Sequence, residues 1–369
     1  MNPLNWVRID TNALTHNLHQ LRRHAGSQTK MMVVVKSDGY GHGAVPSAQA
    51  ALDGGAEELG VSTVAEGMAL RLASITAPVF VMGMTTPDGA RFAARYNLTP
   101  MLCELATVEA YAQAVSDLGG QAQCYLKVDT GMGRLGCEPE DAADMARAIT
   151  GRGIELKGLM SHIPDSDAED KSLARRQVAD FRALIKELQS RGISLPTNHI
   201  ANTAALIDIP EARLEMCRPG LGFYGHLPSP YVSTTLALKN AFTWQARLVY
   251  CRHMPTDRTV SYGRTYRLDA PTVVGVVPVG YSHGYMRRLG NQGMVLWRGR
   301  RCPVIGAVSM DMLMIDLGDD GLGAEGEIVT LLGRDGDEEI TVAEMAGWLG
   351  TIPYEVLCLV DFKVPRLYD

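Results

Sequence analysis

No uninterrupted apolar stretch in this 369-residue chain approaches the roughly 18 residues needed to span a bilayer. The opening MNPLNWVRIDTN also lacks a charged segment running into an apolar one, so no secretion signal is expected and the cytoplasm is the expected location. A basic block is missing too: 35 lysines and arginines face 41 acidic residues, a formal charge of -6, which is the wrong surface for phosphate backbones. Nucleic acid is therefore not expected as a partner. No cysteines stand as CxxC. The seven present, at 103, 124, 137, 217, 251, 302 and 358, are odd in number and widely spaced, which argues against a disulfide framework or a zinc site and for buried thiols, with no metal. The sequon Asn97-Leu98-Thr99 runs directly into Pro100 and is read as chance.

What remains is an ordinary globular composition, 46% hydrophobic and 21% charged, able to bury a large core. At about 150 residues per domain the length allows two domains, or one barrel plus a smaller unit. Up to about residue 225, short apolar runs alternate with longer, Ala-rich, charge-bearing segments. The runs fall near 31–35, 59–62, 79–82, 98–101, 123–128, 156–160, 197–200 and 214–217, and this alternation predicts an α/β domain, an N-terminal (β/α)8 TIM-like barrel. Pro139 should open a helix that ends before Gly151, and 172–190 carries apolar residues at helical spacing. After about residue 235 the texture changes to short Val-, Thr- and Tyr-bearing runs, such as 273–280, 302–308 and 326–332, broken by Gly, Pro and Asp. A mainly-β C-terminal domain is expected there, with 228–233 (PSPYVS) as linker, so the domains are read as 1–233 and 234–369.

Barrels of this type place their chemistry at the C-terminal ends of the strands. Here those ends are unusually polar. The first run closes in Lys36, inside the Gly-rich Ser37-Asp38-Gly39-Tyr40-Gly41-His42-Gly43. A partly desolvated lysine there can act as a Schiff-base nucleophile. The fifth run closes in Lys127-Val128-Asp129-Thr130-Gly131-Met132-Gly133-Arg134, the sixth in Ser161-His162, the seventh in His199-Ile200-Ala201-Asn202-Thr203 and the eighth in Arg218-Pro219-Gly220-Leu221-Gly222. The last two turns supply backbone N–H groups and a hydroxyl where barrels commonly hold phosphate, which fits a phosphorylated aldehyde cofactor. In the second half, Tyr262, Tyr281 and the Ser309-Met310-Asp311 turn are polar clusters whose spacing alone does not make them catalytic.

At these residues the chain strongly resembles the alanine racemases, pyridoxal-phosphate enzymes with an N-terminal barrel and a C-terminal β domain. The pieces are VKSDGYGHG at 35–43, KVDTGMGRLG at 127–136, SH at 161–162, HIANTAA at 199–205, RPGLGFYG at 218–225, SYGRTY at 261–266, VGYSHGY at 279–285, SMDM at 309–312 and PYE at 353–355. The resemblance implies interconversion of L- and D-alanine by two bases on a pyridoxal 5'-phosphate adduct, supplying D-alanine for peptidoglycan. It assigns Lys36 as cofactor lysine and one base, and Tyr262 as the opposite base, contributed by the C-terminal domain of the partner in a homodimer with shared sites. It puts Arg218 at the pyridine nitrogen, His162 between Arg218 and Tyr262, and Arg134 at the cofactor's phenolic oxygen and the substrate carboxylate. Tyr40, Thr203, Gly220, Leu221 and Tyr354 would hold the phosphate, with Asn202 among the cofactor contacts. Met310, beside Asp311, would meet the substrate through its backbone, Tyr281 would line the way in, and Lys127 aligns with a lysine that some relatives carbamylate.

The residue types suit that chemistry. Racemisation removes a proton from one face of Cα and returns one to the other, so it needs two carriers. A tyrosine, with a pKa of about 10, serves only if nearby positive charge favours its phenolate. An arginine at the pyridine nitrogen does not give up its proton, which keeps the cofactor a weaker electron sink and limits transamination and decarboxylation. The chain departs from the family pattern at Ile163 and Pro164, where Phe-Ala is usual, at Thr203 for serine, and at His283 for aspartate. Substrate breadth, alanine alone or serine and others, stays open. A barrel-type decarboxylase would want a carboxylate at the pyridine nitrogen and a longer glycine-rich phosphate loop. A non-catalytic cofactor carrier would not need Tyr262, and a cofactor-free Schiff-base aldolase leaves the phosphate-type turns unexplained.

Overall fold

The computed structural model describes residues 3–233 and 236–369. The chain divides into two compact units, Asn12–Lys239 and Asn240–Asp369, the second joined by the first residues of the chain up to Thr11. This corrects the expected assignment of the N-terminus to the barrel. Strand β1 (Asn5–Ile9) pairs antiparallel with Phe242–Arg247 and parallel with Arg366–Tyr368, so it lies inside the C-terminal sheet. The expected boundary falls at Thr234, which with Thr235 lies outside the described residues. The linker reading of 228–233 is also corrected: Val232 is buried, Lys171 Nζ donates to the Tyr231 carbonyl at 2.9 Å, and the Ser229 hydroxyl donates to that of Asp167. This segment packs on the barrel unit, and the chain changes unit only after Lys239.

In the barrel unit, β2 (Lys30–Val34), β3 (Glu58–Val61), β4 (Val79–Val81), β5 (Thr99–Leu102), β6 (Gln123–Lys127), β7 (Glu155–Met160) and β8 (Met216–Cys217) form one parallel sheet in the order β7-β6-β5-β4-β3-β2-β8. Residues 197–201 close the ring. Thr197 and His199 N–H groups donate to Lys157 and Leu159 carbonyls on one side, and the Arg218 N–H donates to the Ala201 carbonyl on the other. All eight apolar runs are thus staves of the barrel. Gly158 makes the closure possible: its φ is +157°, and a Cβ there would sit 1.9 Å from the Thr197 carbonyl oxygen. The interior is filled by Met32, Phe80, Met101, Tyr125, Met160 and Met216, all buried. Unbranched methionines fill an irregular space that branched residues would leave void.

The helices start where side chains cap them. Thr63 and Glu66 form a reciprocal capping box for Val64–Leu72, and Thr86 caps Pro87–Arg95. Pro139 opens a short turn of helix leading into Ala142–Thr150, followed by Gly151, and Ser172–Ser190 forms the long helix expected there. The C-terminal unit is built on a mixed sheet that includes β1, with a second antiparallel sheet of Tyr250–Met254, Thr272–Val277 and Leu313–Gly318. The seven cysteines all remain thiols. Five are buried as expected, whereas Cys103 is half-buried and Cys358 exposed, against the expectation. Both sit at element ends, which are less covered than strand interiors. No described helix is long and apolar enough to cross a membrane.

Candidate active site

Lys36 follows β2 at the barrel mouth and opens a turn in which Ser37, Asp38, Gly39 and Tyr40 all have left-handed φ, from +52° to +61°. Such a turn costs of order 1–2 kcal/mol per non-glycine residue. It is held from several sides: the Ser37 N–H donates to Glu66 Oε1 at 2.7 Å, the Ala44 N–H to Asp38 Oδ1 at 2.8 Å, and buried His42 contacts the Gly39 and Tyr40 carbonyls through Nδ1. The outcome is a half-buried lysine at a fixed position. It also turns Tyr40 inward, where its ring centre lies 5.0 Å from that of Tyr224.

Tyr40 reaches the turn after β8. A Cβ on Gly220 would lie 2.8 Å from the Tyr40 hydroxyl oxygen, so only glycine admits that approach. The buried Thr203 hydroxyl accepts from the Gly220 and Gly222 N–H groups at 3.1 and 3.2 Å, with Leu221 between them. The replacement of serine by threonine therefore keeps its hydroxyl in use. Asn202 caps the short helix Thr203–Asp208 through Oδ1, which also accepts from Ser166. The Tyr40 and Thr203 hydroxyls gathered around Gly220, with the Leu221 peptide between the two N–H groups that Thr203 already binds, form a cradle suited to a phosphate monoester.

Arg218, 4% exposed, makes no ion pair with a carboxylate among the described residues and is bound by neutral acceptors. Its Nη1 donates to His199 Nδ1 at 2.6 Å, and its Nη2 to the Ser161 carbonyl at 2.8 Å, the Ile200 carbonyl at 3.2 Å and His162 Nδ1 at 3.4 Å. Burial brings its pKa down to about 10, so it stays charged at neutral pH. Burial, followed by the charges of Arg218, Lys127, Arg134 and Lys36, pushes His162 down to about 2. His162 is thus a neutral imidazole that accepts at Nδ1 and keeps its proton on Nε2. Lys127, 4% exposed at the end of β6, is brought down to about 7 by burial and then by Arg218, with Arg134 contributing. The mouth is electropositive, and its bases are pushed toward their neutral forms.

Arg134 is exposed on a loop closed at its base by hydrogen bonds between Lys127 or Asp129 and Cys137. The Asp129 carboxylate organises that loop. Burial would raise its pKa, but N–H donors from Gly131, Arg134 and Met132 outweigh burial and hold it below the ordinary range.

The other expected residues lie in the C-terminal unit. Tyr262, 73% exposed, follows Ser261, whose hydroxyl donates to the Ala307 carbonyl. Tyr281 and Ser282 N–H groups donate to the Ser309 and Met310 carbonyls, and the Ser282 hydroxyl reaches Asp311 at 2.9 Å. The structure thus brings the loops of Tyr262, Tyr281, Met310 and Asp311 side by side. Tyr354 is half-buried in the first turn of Pro353–Leu359. His283 does the work of a capping acceptor, its Nδ1 receiving the Gly280 N–H at 3.2 Å, which an aspartate could also do. Ile163 is buried and Pro164 exposed. Sequence reasoning left His199, Ser161 and Gln177 without roles. Gln177 Nε2 donates to both the Thr130 hydroxyl and the His162 carbonyl, at 2.9 and 2.8 Å, and fixes the segment after β7 to the segment after β6. Only the strand-end position of His199 and Ser161 could have flagged them. Gln177 lies on a helix remote in sequence and carried no signal.

A closed (β/α)8 barrel with a strand-end lysine, a phosphate-type cradle and a buried arginine bound by neutral acceptors, in a chain that also carries a β unit, has the residues that a phosphorylated aldehyde cofactor would need. The chain belongs to the alanine racemase family: residues 9–228 match its N-terminal domain and residues 241–368 its C-terminal domain. It is 39% identical to alanine racemase 2 of Bacillus subtilis, over 98% of this chain and 94% of that one. It is 38% identical to the alanine racemase of Symbiobacterium thermophilum, over 98% and 96%. The crystal structure of the alanine racemase from a D-cycloserine-producing Streptomyces lavendulae superposes with a TM-score of 0.94 at 33% identity, covering 100% of this chain and 98% of that one. Members of this family are pyridoxal-phosphate-dependent isomerases, and the reaction class of this chain is amino-acid racemisation.

Proposed function

We propose that this protein interconverts L- and D-alanine as a homodimer in the cytoplasm, supplying D-alanine for peptidoglycan, with pyridoxal 5'-phosphate at the barrel mouth. The observation that carries the reading is Arg218: a buried cation bound by a histidine nitrogen and two carbonyls, and hydrogen-bonded to no carboxylate among the described residues. When bound, the cofactor stabilises the negative charge left on Cα after proton removal. Lys36 holds the cofactor and serves one face. Tyr40, Thr203, Gly220, Leu221 and Asn202 hold the phosphate side, joined by Tyr354. Arg218 would face the pyridine nitrogen of the bound cofactor and keep its own proton, which would limit the electron-withdrawing strength of the ring and with it the side reactions. Arg134 orients the substrate carboxylate. The neutral His162, accepting from Arg218, presents its Nε2 proton as a donor that favours the Tyr262 phenolate. Lys127, close to neutral at physiological pH, is a nucleophile for carbon dioxide, and a carbamate there would pair with Arg134.

Tyr262 serves the opposite face from the partner subunit, with Met310, Asp311 and Tyr281 beside it. Two carriers on separate domains must flank one small carbon, and a symmetric dimer gives two equivalent shared sites. Lys36→Ala and Tyr262→Ala homodimers should each be nearly inactive. In the mixed dimer one site collects both defects and the other neither. Random re-association makes about half the dimers mixed, so activity should return to about a quarter of wild type. Chiral chromatography of alanine after co-expression reads this directly, and confirmed mixed dimers without recovery would place both bases in one chain.

A further inference from the structure

Below the mouth, the barrel interior carries polar groups that the proposed reaction does not use. Glu58, the first residue of β3, is 6% exposed and accepts twice at Oε1, from the Tyr125 hydroxyl at 3.1 Å and from Lys157 Nζ at 2.5 Å. The same Nζ lies 5.3 Å from the centre of the Tyr125 ring. The tyrosine is thus fixed both at its hydroxyl and at its ring. Tyr125 stands two residues before Lys127 on β6, so both side chains lie on the same face of the strand. Its ring meets His199 edge to face, with centroids 4.5 Å apart and planes at 73°, while Phe80 flanks the imidazole at 5.6 Å and 75°.

His199 is where this lower tier touches the chemistry. Its Nδ1 takes the 2.6 Å hydrogen bond from Arg218. A guanidinium only donates, so the imidazole proton sits on Nε2. That nitrogen is buried and has no hydrogen-bond partner among the described residues. An orphaned buried N–H is unfavourable, and an aromatic face is a weak acceptor that reduces the loss.

We propose that Tyr125 is a positioning residue for Arg218. Its ring, tethered by Glu58 and Lys157, receives the Nε2–H of His199 and fixes the imidazole in the tautomer and orientation that present Nδ1 to the arginine. The inference rests on the reading of Arg218 as the group that faces the cofactor nitrogen. Loss of the ring face would let His199 rotate or change tautomer, and Arg218 would then lose its shortest hydrogen bond.

The test uses the holoenzyme labelled with 15N-histidine, the His199 signal being identified by its loss in His199→Gln. In wild type, Nδ1 should be unprotonated, and the proton on Nε2 should be shifted upfield by the ring current of a face beneath it. Tyr125→Phe keeps the ring and should keep both features, with kcat within about threefold. Tyr125→Leu should lose the upfield shift and mix the tautomers. Its kcat should fall on the order of tenfold or more, with KM for alanine within about twofold and a larger share of turnovers ending as pyridoxamine phosphate. A wild-type proton at an ordinary shift overturns the proposal even if the leucine variant does not fold. So does a Tyr125→Leu enzyme with the wild-type His199 spectrum. Wild-type protein that fails to racemise alanine would instead overturn the proposed function and leave the NMR result standing.

Discussion

The barrel mouth and the exposed loops of the C-terminal unit handle their functional side chains in opposite ways. At the mouth, Arg218, Lys127 and His199 are buried, and the arginine is bound on several sides. On the C-terminal unit, Tyr262, Tyr281 and Met310 are 73%, 41% and 54% exposed, on turns fixed by backbone hydrogen bonds. The difference divides the labour of the proposed reaction. The electrostatics of the mouth are set within one barrel and are costly to alter, because Arg218 and Lys127 are desolvated and the arginine is held by several acceptors. The second base is delivered on a rigid turn, and its surroundings come from whatever covers it. Substitutions in the barrel should therefore change which reaction occurs, and substitutions on the exposed turns should change how fast the same reaction runs.

The largest test of that contrast is Arg218→Glu. A carboxyl placed among His199 Nδ1, His162 Nδ1 and the Ser161 and Ile200 carbonyls meets only acceptors, so it should hold a proton and share it with the pyridine nitrogen. Racemisation should fall by several orders of magnitude while the share of turnovers that end in pyridoxamine phosphate rises. A wild-type rate with no pyridoxamine, measured by chiral chromatography and cofactor analysis, would remove the electronic argument. Tyr262→Phe, by contrast, should abolish racemisation with no change in product class and a Tm near wild type.

Why the mouth could be read from sequence and parts of its frame could not follows from how each is encoded. Strand ends stand next to a buried apolar run, so the positions of Lys36, Lys127, His162 and Arg218 at the barrel mouth were all legible. The closing segment 197–201 shows in its hydrophobic run, yet its pairing depends on Gly158, whose missing Cβ makes room for the Thr197 carbonyl. The placement of β1 in the C-terminal sheet was not legible. Its Trp6, Val7 and Ile9 are as apolar as a barrel strand, and only pairing with residues some 240 and 360 positions away decides its sheet. Gln177 has no local signature either, because its partners come from two other staves.

An intermediate effect is expected at Lys127. Its pKa is brought from 10.5 to about 7 by burial and then by Arg218. The unfolded chain therefore binds more protons than the native one between those values, and stability from this group rises with pH through that window. At and below about pH 7 the full cost of keeping a charged lysine there remains. Lys127→Met should accordingly raise stability by a few kcal/mol at pH 6, with the gain shrinking as the pH approaches 10. Chemical unfolding at several pH values checks the trend, and a gain independent of pH would contradict it. Bicarbonate sharpens the comparison. If Lys127 takes up carbon dioxide, added bicarbonate should stabilise wild type and leave Lys127→Met unchanged.

The smallest effect belongs to the exposed side, at His283. This histidine stands where relatives usually carry aspartate, yet its Nδ1 accepts the Gly280 N–H at 3.2 Å, and its carbonyl accepts from Asp361. Burial and then Lys363 lower its pKa, against the raising influence of Asp311 and Asp361, so the neutral acceptor form prevails at neutral pH. His283→Asp supplies an equivalent acceptor and should leave kcat and Tm nearly unchanged. His283→Ala leaves the Gly280 N–H without its partner and should cost about 1 kcal/mol, the usual worth of a lost cap. Gly280 has no room to relax, since a Cβ on it would already lie 2.3 Å from the Ser309 and Met310 carbonyl oxygens. The alanine variant should therefore disturb the Met310 turn and raise KM for alanine more than it lowers kcat. Equal losses in kcat and kcat/KM would instead show that this turn acts in the chemical step and not in substrate binding.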